Sequence, residues 1–202
     1  MRRDCYRRSG ALGLAAVLTL LPQAAQAHTA KDLAGGFIAG FSHPFSGADH
    51  LLAMVSVGLW GAFLGRPLIA ALPVIFPAVM ALGALLAMIG VAQPPIELGI
   101  ALSVLVLGIA IAAAWRAPLW LACVIVAVFA VFHGFAHGTE IPSLADPIAY
   151  STGFMLATGS LHLVGIGLGT INSRRGGIMI TRAMGAAVAL AGLYFLGVVV
   201  LQ

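Results

Sequence analysis

Long apolar segments alternate with short polar connectors from residue 47 to the end of the chain. Each segment has close to the ~20 residues that an α-helix needs to cross a bilayer, and none alternates like a half-buried strand. The connectors contain helix breakers, as in Gly65-Arg66-Pro67. The pattern predicts an all-α, polytopic membrane protein with six transmembrane helices, at residues 47–64, 68–92, 96–114, 117–138, 147–170 and 183–201.

The composition agrees with a chain whose main partner is the lipid bilayer. Of the 202 residues, 61% are hydrophobic and 8% are charged, and the mean hydropathy is +1.08. A soluble domain carries about 25% charged residues, so this chain cannot cover a water-facing surface. These values exclude a soluble enzyme, a disordered chain and a nucleic-acid-binding protein.

The N-terminus has the pattern of a secretory signal peptide. Four arginines in the first eight residues precede an apolar run at 11–21 and the small-residue site Ala25-x-Ala27. Because this run is short for a membrane span, we expect cleavage after Ala27, giving a signal peptide at 1–27 and a six-helix transmembrane domain at 28–202. An uncleaved first transmembrane helix is the alternative. With Asp4, these arginines contribute three of the four net positive charges, so the formal charge of +4 indicates no nucleic-acid partner.

Charges in the connectors alternate in sign along the chain. The basic residues of the odd connectors and the acidic residues of the even ones are Arg66, Arg116, Arg174, Arg175, Glu97, Glu140 and Asp146. Basic residues accumulate on the cytoplasmic side of membrane proteins, and a cleaved signal peptide independently places the mature N-terminus outside. The sequence predicts a bacterial inner-membrane protein with both termini in the periplasm.

The chain changes direction before the first predicted span. Residues 33–42 form an apolar stretch too short to cross a bilayer. Pro44 disfavours helix in the residue before it, and Ser46-x-x-Asp49 is typical of a capping box that opens a new helix. We expect a short outer helix, a break at 43–46 and then the span. Irregular backbone at that depth is tolerated when it lines a cavity, so the break is a candidate site.

The first cluster of ionisable side chains follows this break. His43 lies in it, and Asp49 and His50 begin the next helix. A carboxylate at a helix centre costs about 2.5–3.5 kcal/mol on insertion scales, so such residues usually face an interior cavity. Capping of the first helical turn is the alternative role for Asp49.

The second cluster ends the fourth span. At about 100° per residue, His133 and His137 lie about 40° apart on one helix face, and Glu140 returns to the same stripe. Gly134 and Gly138 permit a neighbouring helix to approach closely. One histidine is commonly a hydrogen-bonded core residue, but two histidines and a glutamate on one stripe favour a metal site.

Both clusters lie at the predicted outer end of the protein, as does Glu97, and His162 lies about halfway along the fifth span. This layout predicts a path for a cation that enters from the periplasm. Imidazole and carboxylate ligands suit Ni²⁺, Co²⁺ or Zn²⁺, whereas scattered methionines and a single mature cysteine disfavour copper(I). Asp49 would either bind the ion or orient a histidine that does.

The sequence resembles the HupE/UreJ family of hydrogenase and urease accessory proteins through two motifs, His43-x5-Asp49-His50 and Phe132-His133-Gly-x-Ala-His137-Gly-x-Glu140. The resemblance implies a secondary permease for nickel, sometimes cobalt, that feeds metalloenzyme maturation. The divalent ion would be its substrate, with no permanent cofactor and no catalysis. The resemblance also implies a role on the transport path for Phe76, in Pro73-x-x-Phe76-Pro77, and for Glu97. From the residues alone, Phe76 is equally a packing aromatic.

Other interpretations of the histidines and glycines stay open at this point. Paired histidines on facing helices also ligate b-type haem, and a metal-binding accessory protein without transport would need the same residues. An intramembrane zinc hydrolase is disfavoured because no His-Glu-x-x-His pattern is present. Gly165-x3-Gly169 indicates close helix packing, either within the chain or in a homo-oligomer.

Overall fold

The computed structural model describes residues 36–140 and 147–201, which belong to one compact unit. These residues form helices and no strand. The α-helices are α1 (Phe37–Ser42), α2 (Ala48–Leu64), α3 (Leu68–Met88), α4 (Ile96–Ala112), α5 (Leu119–Glu140), α6 (Pro147–Gly169) and α7 (Gly177–Val200). Short 3₁₀ helices follow α1 at His43–Phe45 and α6 at Thr170–Ser173. The predicted signal peptide at 1–27 lies outside the described residues.

Helices α2 to α7 occupy the six predicted segments, although several ends are shifted and α3 already ends at Met88. Helix α5 continues to Glu140, so this residue is helical and does not lie in a connector. Helix α7 begins at Gly177 because Gly176 adopts a left-handed φ of 77°, which ends the preceding turn. The charge of Arg182 does not delay the helix, since its Nε donates to the Ala112 carbonyl at 2.8 Å.

The described helices are those of a membrane protein. Within the described ranges, α3, α5, α6 with its 3₁₀ extension, and α7 are long and apolar enough to cross a bilayer. The bent pair α1–α2 would make a fifth span, and α4 is a shorter apolar helix of 17 residues. The all-helical fold is therefore confirmed, and six crossings stay a prediction that depends on α4.

Helices α3 and α7 bury a narrow face and expose apolar side chains elsewhere, whereas α2 and α4 are buried over more than half of their residues. In α3 the buried residues recur almost every fourth position, at Leu68, Leu72, Phe76 and Met80. The most extensive helix pairs are α3 with α5, α4 with α7, and α2 with α6. Large apolar side chains cover the outer surface, as expected for contact with lipid, and include Leu85, Val128, Leu163 and Leu190.

The connectors sort to opposite ends of the bundle. At one end the Arg116 guanidinium lies 5.5 Å from the centre of the Phe63 ring, and Trp60 stacks on Trp115. At the other end, the turn after α1 meets the end of α5. The basic first and third connectors therefore share one end, as the charge pattern predicts, while the membrane side that each end faces stays a prediction.

Glycine at position 165 allows α2 and α6 to touch along their backbones. A Cβ at Gly165 would overlap the Val55 carbonyl, whereas one at Gly167 would meet nothing within 4 Å. We expect Gly165→Ala to lower the free energy of unfolding by about 1–3 kcal/mol through overpacking. The control Gly167→Ala should be neutral or stabilising, and thermal unfolding in detergent compares the two. Equal melting temperatures would contradict this packing.

Candidate metal centre

The turn between α1 and α2 brings His43 to the head of the bundle. Helix α1 and the 3₁₀ turn that contains Pro44 form one segment, Phe37–Phe45, whose axis differs by 84° from that of α2. The predicted change of direction before α2 is confirmed, but it comes after Phe45, because His43 keeps a helical backbone in spite of Pro44. The predicted capping box is wrong, because the Ser46 hydroxyl donates to the His43 carbonyl at 2.6 Å instead of capping α2. Gly47 is the N-cap residue of α2, without a side-chain cap.

Three side chains from this turn and α5 meet in one cluster. His43 Nε2 lies 3.1 Å from Glu140 Oε2, and His137 Nδ1 lies 3.6 Å from the same oxygen. One ligand atom from each residue lies within 4.8 Å of the others. Neighbouring ligands around an ion at a bond length of 2.0–2.1 Å are separated by roughly 3 Å. A contraction of one or two ångströms at most would therefore let all three bind one ion; we call this group the outer cluster.

Asp49 orients His50 beside the outer cluster. Asp49 Oδ1 accepts hydrogen bonds from the His50 backbone N–H at 2.8 Å and from His50 Nδ1 at 3.0 Å. The carboxylate can only accept, so Nδ1 carries a proton, and in the neutral imidazole the Nε2 lone pair is available. Carboxylates commonly fix metal-binding histidines in this way. Between binding the ion itself and orienting a histidine that binds it, this geometry favours the orienting role for Asp49.

His133 presents a nitrogen lone pair by the same logic. Its Nδ1 lies 2.9 Å from the Phe129 carbonyl, one turn earlier in α5, and must donate to it. Nε2 is then the lone-pair nitrogen. Among the described residues, Nε2 of His50 and of His133 and both ring nitrogens of His137 have no hydrogen-bond partner. Such buried, unpaired polar nitrogens are costly unless another group uses them.

The four imidazoles form a continuous series. The ring centre of His137 lies 5.0 Å from that of His43 and 4.8 Å from that of His50. His50 lies 5.1 Å from His133 in turn. His43 and Glu140 are about one-quarter exposed, whereas His137 is 5% exposed. The series therefore leads from a partly exposed entrance into the bundle.

The structure brings together the metal-site residues that the sequence predicted, whereas Glu97, predicted on the transport path, lies apart from them. Phe76 packs against His133, with ring centres 5.2 Å apart, and against His162 at 5.4 Å. Glu97 is exposed in the first turn of α4 and does not join the outer cluster.

Sequence reasoning missed two aromatic residues of α6. The Phe154 ring centre lies 4.1 Å from that of His137, and Tyr150 lies 5.9 Å from His43. A cavity of about 130 Å³ beside them reaches His137. Their spacing of four residues, continued by Thr158 and His162, marks one face of α6 and was the available signal. Without the fold, that face is indistinguishable from ordinary packing.

Comparison with known proteins identifies relatives whose matched region includes these residues. A family model for HupE / UreJ proteins matches residues 16–195, which include the whole cluster. The chain belongs to the HupE/UreJ family. Protein HupE of Rhizobium leguminosarum bv. viciae is 43% identical over 172 residues, covering 85% of this chain and 90% of that relative. No solved structure shows significant similarity to the chain.

Membership of the HupE/UreJ family confirms the resemblance found in the two sequence motifs. The family is associated with nickel and cobalt accessory functions for hydrogenase and urease. It is an accessory and transport family and is not known as a family of enzymes.

Proposed function

We propose that this protein imports nickel, and to a lesser extent cobalt, across the bacterial inner membrane by secondary transport. The imported ion would supply the maturation of a hydrogenase or urease. The observation that carries the proposal is the outer cluster of His43, His137 and Glu140, whose ligand atoms lie within 4.8 Å of one another.

The donor set favours borderline divalent ions. Imidazole nitrogens and one carboxylate suit Ni²⁺, Co²⁺ and Zn²⁺, whereas Mg²⁺ prefers carboxylate and water oxygens. His50 lies against His137 and offers a fourth ligand through Nε2. His133 stands one turn deeper and would take the ion next. Phe76, His162 and the exposed Glu97 complete the proposed path, with Glu97 attracting cations to the entrance.

Haem binding fits this arrangement less well. The neighbouring imidazole centres are 4.8–5.1 Å apart with their rings in direct contact. A porphyrin between two axial histidines would have to separate such rings. The carboxylate of Glu140 also lies among them, where a haem pocket would be apolar.

Asp49→Asn should weaken nickel binding without unfolding the protein. Asparagine preserves the shape but removes the charge that holds His50, and loss of such an orienting group costs about 10- to 100-fold in metal affinity. Equilibrium dialysis of the purified protein against nickel measures the change. Ser46→Ala, which removes only the hydrogen bond to the His43 carbonyl, is the control. An unchanged affinity in Asp49→Asn would contradict the orienting role.

The import proposal is tested in cells that lack their own nickel importers. We expect the wild-type protein to raise accumulation of radioactive nickel well above the empty vector, with a smaller rise for cobalt. Protein levels in the membrane are measured alongside. Nickel accumulation equal to that of the vector, with normal protein levels, would contradict import. A Soret band in the purified protein would instead favour haem.

A further inference from the structure

His162 is a buried histidine outside the outer cluster. It lies in the middle of α6 and is 1% exposed. Within the described part of the chain, neither of its ring nitrogens has a hydrogen-bond partner. Leaving a buried polar group unpaired destabilises the fold, and ionisable residues at membrane depth usually line an ion pathway. The position therefore needs a functional explanation.

The backbone of α3 offers a second ligand beside this ring. Pro77 lacks an N–H group, so the Pro73 carbonyl, four residues earlier, loses its helical partner. The His162 imidazole lies beside this carbonyl, although its nitrogens do not reach it in hydrogen-bond geometry. Divalent cations accept both imidazole nitrogens and carbonyl oxygens as ligands. An ion between the two groups would satisfy both.

Phe76 separates this pair from the histidines nearer the entrance. Its buried ring meets His133 on one side and His162 on the other, edge to face, at 65° and 88°. The Phe76 ring therefore lies between His133 and His162 and contacts both. Rotation of a single ring would connect them.

We propose that His162 and the Pro73 carbonyl form a second, deeper binding station for the divalent ion, which the ion reaches from the outer cluster when the Phe76 ring moves aside. This inference rests on the proposed import function and adds to it an intermediate site within the bundle. A Cβ at Gly58 would overlap the His162 carbonyl, so α2 holds the backbone of this station in place.

The charge distribution explains why the deeper station would release its ion. The described carboxylates, Asp49, Glu97 and Glu140, all lie towards the outer end of the bundle. His162 and a carbonyl supply no negative charge. A neutral site binds a divalent ion more weakly than the outer cluster, and conduction requires sites that the ion can leave.

His162→Leu tests the station because it should slow nickel uptake while leaving nickel binding at the outer cluster intact. We expect the maximal rate of nickel uptake in cells to fall at least about tenfold, the effect of losing one metal-site residue. The nickel affinity of the purified protein should stay within about twofold of wild type, because the outer cluster is intact. The matched control is Thr181→Val, which removes another fully buried, unpartnered side-chain group, in α7, and should leave both quantities unchanged.

A ligand-exchange variant distinguishes ion binding from packing. With Cys5 and Cys123 replaced by serine in every protein, His162→Cys introduces a thiolate, which binds soft ions such as Cd²⁺ strongly. We expect this variant to retain more nickel uptake than His162→Leu. The Cd²⁺ concentration for half-inhibition should fall at least about tenfold against the His162 parent.

The outcomes separate this inference from the import proposal. Uptake by His162→Leu at the wild-type rate would overturn the station while leaving import intact. Equal impairment of His162→Leu and His162→Cys, without added Cd²⁺ sensitivity, would also overturn it and assign His162 to packing. Failure of wild-type uptake would instead contradict the import proposal.

Discussion

His137→Leu should abolish both nickel binding and nickel uptake. The His137 imidazole stands between the rings of His43 and His50 and lies 3.6 Å from Glu140. Leucine fills a similar volume but offers no lone pair. Losing a ligand should cost at least the 100-fold upper range seen for orienting groups, so we expect affinity to fall by about 100-fold or more. Equilibrium dialysis and cellular uptake measure the two effects.

The control for His137→Leu lies two residues further along α5. The hydroxyl of Thr139 donates to the Ala136 and Phe135 carbonyls of its own helix, so Thr139→Val should bind and import nickel normally. Near-wild-type affinity and uptake in His137→Leu would remove this residue from the ion pathway. Equal losses in both variants would point to a distorted helix.

Glu140 should contribute mainly through its charge. Its carboxylate is the only anionic group in the outer cluster of three, and Oε2 lies 3.1 Å from His43 Nε2. Glu140→Gln preserves length and the capacity to hydrogen-bond but removes the charge that offsets a divalent ion in a poorly hydrated site. We expect nickel affinity to fall about 10- to 100-fold, with a parallel loss of uptake.

The shorter acid Glu140→Asp separates charge from reach. It retains the carboxylate but withdraws it by one methylene, so its nickel affinity should lie between those of wild type and Glu140→Gln. Isothermal titration of the purified variants gives this order. The reverse order, with glutamine binding nickel more tightly than aspartate, would show that hydrogen bonding to His43 matters more than charge.

The sequence was most informative where local periodicity decides the structure. Apolar blocks and breakers located helices α2 to α7, and the spacing of His133, His137 and Glu140 placed them on one face of α5 before any contact was known. The change of direction before α2 was predicted from Pro44 and the Ser46-x-x-Asp49 pattern, although the chain bends after Phe45 and His43 keeps a helical backbone. These features depend on residues within a few turns of one another, so composition and helical geometry are sufficient to predict them.

The remaining features depend on contacts between distant segments. The hydrogen bond of Ser46 to the His43 carbonyl replaced the predicted capping box, because a competing local acceptor was available in the 3₁₀ turn. The Phe154 ring of α6 packs tilted against His137 of α5, and the four-residue spacing of its helix face does not by itself distinguish a site from ordinary packing. Glu97 was predicted on the transport path and not in the metal site, and it lies exposed on α4, outside the outer cluster.

The binding of one ion by His43, His137 and Glu140 is tested most directly by X-ray absorption spectroscopy of nickel bound to the purified wild-type protein. We predict a first shell of nitrogen and oxygen atoms with imidazole scattering in the wild-type protein. The imidazole scattering should decrease in His43→Leu, and His137→Leu should lose its bound nickel. A spectrum without imidazole scattering, or one unchanged by both substitutions, would contradict the assignment of this cluster as the metal site.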